Sequence, residues 1–174
     1  MTVEVRDAQL HDAPAIARIH VECWRHAYAE LVPKALLDGL DVNSRTERWQ
    51  RILGSARPPA ATLVSVEASG IVTGFASVDA ARDDGDATDP SLGELQAIYL
   101  APPAIGTGTG RVLLAAATDR MRDSGFTSAR LDVLPGNARA RQVYEAAGWT
   151  PSGEPWIVAH GEHDLPHQRY VREL

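Results

Sequence analysis

One segment constrains the fold more than any other: a strand that passes through two prolines into alternating glycines and then into a helix. The strand covers residues 92–100, and Pro102 to Gly110 follow it. Glycine adopts positive φ angles at little cost and lets a ligand approach the backbone. The first N–H groups of the helix that starts near Gly108 lack intrahelical partners and carry the positive end of the helix dipole. The segment therefore predicts a pyrophosphate-type anion site, and a tight turn that only permits close packing stays open.

Two common phosphate-binding loops fit this segment poorly. The nucleoside-triphosphate loop ends in Gly-Lys-Ser or Gly-Lys-Thr, and neither occurs here. The dinucleotide pattern G-x-G-x-x-G, started at Gly106, requires its last glycine where Arg111 stands. An unrelated nucleotide-binding protein is therefore only a minor alternative.

The composition is typical of a globular protein, with 174 residues of which 44% are hydrophobic and 23% charged. A chain of this length supports one core, so we expect a single domain over residues 1–174. No stretch approaches the roughly 18 uncharged apolar residues of a membrane span. Residues 1–7 lack the basic-then-apolar order of a signal peptide. These features predict a cytoplasmic protein with no membrane partner.

Charge, cysteine and histidine content argue against several kinds of site. A net charge of −6 disfavours a nucleic-acid partner, because such binding depends on Lys and Arg at phosphates. Cys23 is the single cysteine, so no internal disulfide forms, and its apolar helical pattern favours a core residue over a nucleophile. His160, His163 and His167 fall in an apparent turn between the last two strands, which favours a polar loop near a substrate. We predict no metal site.

Hydrophobic periodicity gives the element order. Alternation predicts strands at residues 2–6, 62–66, 71–78, 92–100, 129–134, 156–159 and 168–172. Helices are predicted from a cap at Asp12, from Pro33, from a cap at Asn43 or Ser44, from near Gly108 to Gly125 and from Asn137 to Gly148. Residues 82–91 are acidic and turn-rich and predict a solvated loop. Strands that alternate with helices in the later half indicate an α+β fold.

The glycine segment resembles a motif of one superfamily. Residues 94–114 are similar to the acetyl-CoA-binding motif of GNAT N-acetyltransferases, in which an aromatic-aliphatic-x-Pro strand end leads into R/Q-x-x-G-x-G. Gly108 and Gly110 fill the last two glycine positions, and Gly106 the glycine common before them. Ile105 stands where the family has Arg or Gln, which removes one polar side chain while the backbone N–H groups remain.

A second stretch strengthens the resemblance. Residues 131–149, from Leu-Asp-Val through Asn137 and Tyr144 to Gly-Trp, match the family's second cofactor motif in order and spacing. The two motifs and the helix between them cover about a third of the chain. The resemblance implies a single α+β domain of GNAT type, with a mixed, mostly antiparallel central sheet flanked by helices.

The resemblance also implies a cofactor, acetyl-CoA, with CoA as product, and the residues that hold it. Backbone N–H groups near Ile98 or Leu100 are expected to stabilise the oxyanion, and a guanidinium is expected at the 3′-phosphate. The predicted cofactor-binding residues are Ile98, Tyr99, Leu100, Gly106, Thr107, Gly108, Thr109, Gly110, Arg111, Asn137, Arg139, Arg141 and Tyr144.

Two residues are predicted to be catalytic. An alkylamine is mostly protonated at neutral pH and must lose a proton before it attacks a thioester. Glu94 resembles the family's acid at this position and is the candidate base, although an ordinary strand carboxylate in an ion pair stays open. Tyr144 matches the family's tyrosine that assists the departing thiolate, with a packing role as the alternative.

The acceptor is predicted only as a primary amine, on a small molecule or a protein. Trp24, Tyr28 and Gln96 are candidate substrate residues, and an aromatic wall with Glu30 suits a cation. The proposed reaction is direct attack in a ternary complex. A non-catalytic acyl-CoA-binding or sensing module of the same fold is the alternative, and a homodimer is left open.

Overall fold

One mixed sheet runs through residues 3–82 and 89–174, the parts of the chain that this computed structural model describes. Its seven strands are β1 (Val3–Asp7), β2 (Ala61–Glu67), β3 (Val72–Ala80), β4 (Leu92–Leu100), β5 (Ser128–Val133), β6 (Thr150–His160) and β7 (His163–Glu173). The helices are α1 (Ala13–Ala27), α2 (Lys34–Asp38), α3 (Val42–Ser55), α4 (Thr109–Asp123) and α5 (Ala138–Ala146). Short 3-10 turns cover Leu10–Asp12 and Pro102–Ala104. This order confirms the predicted α+β class.

The strands lie in the order β1-β2-β3-β4-β5-β7-β6. Neighbouring strands are antiparallel except β4 and β5, which are parallel. A parallel pair needs a crossover connection, and α4 provides it between β4 and β5. The prediction of a mixed, mostly antiparallel sheet flanked by helices is confirmed.

The two parallel strands separate after a short contact. Leu92–Leu95 of β4 pair with Ser128–Leu131 of β5, and no pairing between them continues along the described residues beyond that point. On its other edge, β4 stays paired with β3 as far as Leu100, with a bulge where Leu95 faces Val78 and Ala97 faces Ser77. Gln96 is the extra residue of this bulge. The separation opens a gap in the middle of the sheet.

Two apolar layers cover the faces of the sheet. On one face, Ile16 and Ile19 of α1 and Trp49 of α3 pack against Val64 and Phe75. The other face packs against α4 and α5 through a larger cluster that includes Leu95, Leu113, Met121, Leu131, Trp149 and Tyr170. Successive strand residues point to opposite faces, which is why adjacent Phe75 and Ala76 belong to different clusters. The gap between β4 and β5 therefore connects the two sides of the sheet.

Two predicted helix caps differ from the structure. Asp12 precedes α1, but its buried carboxylate accepts hydrogen bonds from the Arg6 guanidinium at 2.7 and 3.0 Å and from the Gln9 N–H at 2.8 Å. An ion pair with β1 replaces the expected cap. Helix α3 begins one residue before Asn43, and Asp41 caps it by accepting from the Ser44 N–H at 2.7 Å.

The last two strands are longer than the sequence predicts. Strand β6 starts at Thr150 rather than at Trp156, and β7 runs through His163 to Glu173. His160 and His167 therefore lie in strands, so the prediction of a histidine-bearing loop was wrong. Of the predicted loop at 82–91, residues 83–88 lie outside the described residues. No helix among the described residues is long and apolar enough to cross a membrane.

Candidate active site

Two cavities meet at the gap between β4 and β5. The glycine-loop cleft, of about 500 Å³, is bounded by β4, the loop from Ile105 to Arg111, and α5. The α1–α3 cavity, of about 1070 Å³, lies between those two helices, the middle of the sheet and the far end of the β6–β7 hairpin. Both are lined by Tyr28, Leu95, Gln96, Ala97, Tyr99, Asp132 and Val133. The seven shared residues show that the two cavities are adjacent at this gap.

The glycine loop has the backbone conformation that an anion site needs. Gly106 and Gly108 have φ angles of 86° and 96°, and Gly108 is the N-cap of α4. A Cβ at Gly106 would come within 4.0 Å of Arg139 Nη1, and one at Gly108 within 3.7 Å of Arg111 Nη2. Two guanidinium groups therefore flank a bare backbone at the positive end of a fifteen-residue helix. This arrangement suits a diphosphate.

Most predicted cofactor residues line the glycine-loop cleft, but Thr107, Thr109 and Arg141 do not. The hydroxyl groups of Thr107 and Thr109 bond each other at 2.9 Å, and that of Thr107 also donates to the Ala104 carbonyl at 2.8 Å. Their side chains are thus engaged within the loop. The lining residues are Ile98, Tyr99, Leu100, Gly106, Gly108, Gly110, Arg111, Asn137, Arg139 and Tyr144.

The Arg141 side chain does not line the glycine-loop cleft, which corrects the prediction that it binds a phosphate. Its Nε donates to the Tyr170 hydroxyl and its Nη1 to the Pro135 carbonyl, both at 3.0 Å. These bonds hold α5 against β7 and the turn before the helix. Arg111 and Arg139 are the guanidinium groups that remain in the cleft.

Asn137 links the two cavities. Its Oδ1 accepts from the Ala140 N–H at 3.2 Å and so caps α5, as the sequence predicted. Its side chain also lies close to Tyr28, which lines both cavities. Burial raises the pKa of Tyr28 well above its ordinary value, so this phenol stays neutral beside the gap.

Tyr144 is buried in the wall of the glycine-loop cleft. Its pKa is raised above that of a free phenol, mainly by burial and further by the neighbouring Tyr99 and Cys23. The hydroxyl therefore keeps its proton throughout the neutral range. A protonated phenol in a dry cleft can donate to a developing negative charge.

Glu94 lies on the opposite side of the gap, in the α1–α3 cavity. Its pKa is raised by burial, an effect that the nearby Arg130 opposes and Asp132 supports. Arg130 Nε lies 3.4 Å from Glu94 Oε1, and the two residues face each other across β4 and β5. Burial of Glu94 thus outweighs its ion pair with Arg130, and the raised pKa suits a carboxylate that accepts and releases a proton.

Of the four residues predicted near the acceptor, three line the α1–α3 cavity and one does not. Trp24, Tyr28 and Gln96 all line the α1–α3 cavity, and Trp24 and Tyr28 meet edge to face with centroids 5.0 Å apart. Glu30 lies beyond the end of α1 and lines neither cavity. The aromatic wall is present, but the carboxylate expected beside it is not.

Comparison with known proteins decides the family. The family model described as the acetyltransferase (GNAT) family matches residues 14–149, well over half of the chain. The chain belongs to the GNAT family. This membership confirms the family predicted from the two motifs and the prediction of an acetyltransferase.

Individual relatives and structures agree with GNAT membership. An uncharacterized N-acetyltransferase, YuaI of Bacillus subtilis, is 34% identical over 135 residues, covering 78% of this chain and 73% of YuaI. A mycothiol acetyltransferase of Beutenbergia cavernae is 34% identical over 95 residues, 49% of this chain, which spans only 30% of that protein's length. The phosphinothricin acetyltransferase Pat of Sinorhizobium meliloti, solved with acetyl-CoA, is 24% identical with a TM-score of 0.76, covering 100% of this chain and 89% of Pat. Pat shares the fold.

Several lining residues of this GNAT chain were not predicted as site residues. In the α1–α3 cavity these include His20, Arg45, Arg48 and Asp132. Arg45 and Arg48 carried a usable signal, because they share the helical face of the apolar Trp49 and Ile52. His20 and Asp132 carried no such signal, because nothing in the sequence around either residue distinguishes it as a site residue.

The two strand histidines also line the α1–α3 cavity. His160 Nε2 lies 3.1 Å from His167 Nε2, and the rings stack with centroids 5.2 Å apart. Burial lowers the pKa of both, so the pair is neutral at neutral pH. No group of three or more metal-ligating side chains occurs in the described part of the chain. The pair is a polar wall that faces the acceptor side.

Cys23 lines the glycine-loop cleft as a buried side chain. Its pKa is raised, mainly by burial. A thiol that keeps its proton is a poor nucleophile, which supports its interpretation as a core residue.

Proposed function

We propose that this chain transfers the acetyl group of acetyl-CoA to a primary amine by direct attack while both substrates are bound. The observation that carries this proposal is the gap between β4 and β5, where the glycine-loop cleft meets the α1–α3 cavity. Glu94 lies in the cavity and Tyr144 in the cleft. A base on the acceptor side and an acid on the cofactor side favour a catalyst over a module that only binds acyl-CoA.

The proposal assigns acetyl-CoA to the glycine-loop cleft, with its diphosphate at the glycine loop. The bare backbone from Gly106 to Gly110 holds the diphosphate, and Arg111 and Arg139 supply charge for the phosphates. The pantetheine arm lies against the unpaired edge of β4, whose backbone groups have no β5 partner beyond Leu95. Asn137 and Tyr144 line the thiol end.

Three proton transfers complete the reaction. Glu94 accepts a proton from the ammonium of the acceptor, directly or through water, and leaves a nitrogen lone pair that attacks the thioester carbon. The C–S bond then breaks, Tyr144 gives its proton to the sulfur, and the nitrogen, which is positively charged after the attack, loses its second proton to water. The Tyr144 phenolate and the protonated Glu94 then exchange protons with water and return to their starting states. Backbone N–H groups of β4 near Ile98 or Leu100 stabilise the negative oxygen that forms between these steps.

A thermal melt tests cofactor binding. Acetyl-CoA at 100 times its Kd adds about 2.7 kcal/mol and should raise the melting midpoint by about 5–10 °C, because only the folded state binds it. ATP and NAD serve as controls. Release of free thiol from acetyl-CoA with a panel of primary amines tests the transfer itself. An equal shift with ATP, or no shift, contradicts the proposal.

Substitution of Gly108 by Ala tests the diphosphate site. We expect the Kd of acetyl-CoA to rise about tenfold or more, because the new Cβ forces strain at φ 96° and disturbs charge-assisted N–H contacts worth about 1.5–3 kcal/mol each. The readout is Kd by calorimetry.

Gly125→Ala is the matched control. Gly125 follows the other end of α4 and has a similar φ of 90° with nothing near its Cβ. The two variants should lose similar folding stability, but only Gly108→Ala should lose affinity. Equal affinities would remove the glycine loop from the cofactor site.

A further inference from the structure

The wall of the α1–α3 cavity formed by helix α3 carries positive charge where a packed helix normally carries apolar residues. Arg45 and Arg48 are three residues apart, so they lie on one helical face with Trp49 and Ile52. All four line the cavity. Trp49 packs in the core below, while the two guanidinium groups border the open volume.

Neither arginine has a countercharge in the described residues. No carboxylate there lies within 4.0 Å of Arg45 or Arg48, although the same cavity contains Glu94 and Asp132. Those two carboxylates pair with Arg130 and with Arg169 instead. Burial lowers the pKa of Arg45, and the adjacent Arg48 lowers it further. Arg45 is half-buried and Arg48 is exposed, and two neighbouring like charges without a carboxylate partner among the described residues are unfavourable.

Three buried polar atoms on residues of the same cavity lack hydrogen-bond partners in the described residues. They are His20 Nδ1, Trp24 Nε1 and Trp49 Nε1. His20 stacks on Tyr99 with centroids 4.9 Å apart, and burial together with Arg45 and Arg48 lowers its pKa to about 3. His20 is therefore neutral and adds no positive charge to the cavity. These three atoms are enclosed in the cavity wall, and the polar groups of this wall that border the open volume are the guanidinium groups of Arg45 and Arg48.

The opposite charge lies along the middle of the sheet. Glu94 and Asp132 border the cavity near the β4–β5 gap. Arg45, by contrast, influences the pKa of Tyr99, five residues further along β4 than Glu94. Asp79, a third carboxylate of the cavity, pairs with Arg82. The carboxylates of the cavity thus lie on the sheet with arginine partners, whereas Arg45 and Arg48 on α3 have no carboxylate partner among the described residues.

We propose that the acceptor is a zwitterion, a primary amine joined to an oxyanion such as a carboxylate or a phosphonate, whose anionic group binds Arg45 and Arg48 while its amine lies near Glu94. This inference rests on the proposed acetyl transfer. It narrows the primary amine expected from sequence, because Glu30 is absent from the cavity and Arg45 and Arg48 line it.

Matched acceptors test the charge requirement. Thiol release is measured with saturating acetyl-CoA and the twenty amino acids, 4-aminobutyrate or 3-aminopropylphosphonate, each compared with the alkylamine that lacks the anionic group. We expect kcat/KM to be about 10–100-fold higher for the best anionic amine than for its uncharged counterpart, because charge-assisted contacts to both arginines are lost in the latter. The phosphonate and carboxylate series identify which oxyanion is preferred.

Matched variants locate the effect. Arg45→Gln should lower kcat/KM about 10-fold or more for the anionic amines, with little change for alkylamines and an unchanged KM for acetyl-CoA. Arg51→Gln is the control, since Arg51 is exposed on the same helix, lines neither cavity and contacts its own Glu47 carbonyl. Arg48→Gln, at an exposed position, provides a second variant if Arg45→Gln fails to fold.

The outcomes separate the two proposals. A melt without an acetyl-CoA shift, or bound acetyl-CoA with no amine acetylated, overturns acetyl transfer and the zwitterion together. Turnover that is equal for alkylamines and their anionic partners overturns the zwitterion alone. So does an Arg45→Gln variant that loses activity equally on both kinds of amine or no more than Arg51→Gln does.

Discussion

Replacement of Glu94 by Gln is expected to lower kcat/KM by about 10²–10⁴-fold, the usual contribution of a positioned general base. The amide keeps the size of the side chain but cannot accept a proton from the ammonium. Because the reaction needs the carboxylate form, activity falls as pH drops through the pKa of Glu94. That pKa is raised by burial, so the acid limb of the wild-type profile should lie above the ordinary value of about 4.3. The variant should lack this limb.

A competing carboxylate provides the control for Glu94. Asp132 also lines the cavity, but its two carboxylate oxygens accept hydrogen bonds from the Arg169 guanidinium at 3.0 and 3.3 Å. Asp132→Asn should therefore cost much less activity than Glu94→Gln. The loss in Glu94→Gln should also shrink with a weakly basic amine that is already neutral at the assay pH. A larger loss in Asp132→Asn would transfer the role of base to that residue.

Replacement of Tyr144 by Phe is expected to lower kcat by about 10²–10⁴-fold while the Kd of acetyl-CoA stays close to that of the wild type. The ring still fills its buried position, but no proton is available for the departing thiolate. The raised pKa of Tyr144 keeps the wild-type phenol protonated at neutral pH, so this role needs no further activation. Single-turnover kinetics with separately measured cofactor affinity provide the readout.

Tyr170→Phe is the matched control. The two rings lie 6.3 Å apart, yet the Tyr170 hydroxyl donates to Glu145 at 2.7 Å and accepts from Arg141, and Tyr170 does not line the cleft. Its loss should reduce stability without changing kcat. If Tyr144→Phe instead raises the KM for acetyl-CoA at constant kcat, Tyr144 only binds the cofactor.

The cofactor side of the site could be predicted from the sequence because the residues that form it are close together in the chain. Alternating glycines, a helix start and the Asn137-to-Tyr144 spacing lie within single strand–turn–helix units. Backbone N–H groups do most of the anion binding there, so the identity of Ile105 mattered little to the prediction. Arg141 was predicted as a phosphate ligand because it is close in sequence to Asn137 and Arg139, but closeness in sequence does not determine the direction of its side chain.

The acceptor side was largely hidden because it is assembled from distant segments. Its walls come from α1, α3, the middle strands and the β6–β7 hairpin, and no short motif records their approach. Strand β6 was shortened in the prediction because Pro151, Gly153 and Pro155 are typical turn residues. In the structure β6 is an edge strand, where proline is tolerated because one side of the backbone needs no partner.

The short contact between β4 and β5 has a consequence for the apo protein. Among the described residues, four residue pairs join the β1–β4 half of the sheet to the β5–β7–β6 half, so backbone pairing gives this seam little cohesion. The apolar cluster that contains Leu95, Leu131 and Tyr170 must hold the two halves together. On the proposed function, a bound pantetheine arm would lie against the unpaired edge of β4 and add contacts across this seam. The supply of acyl-CoA in the cell would then govern not only how fast the enzyme works but how long each molecule survives proteolysis.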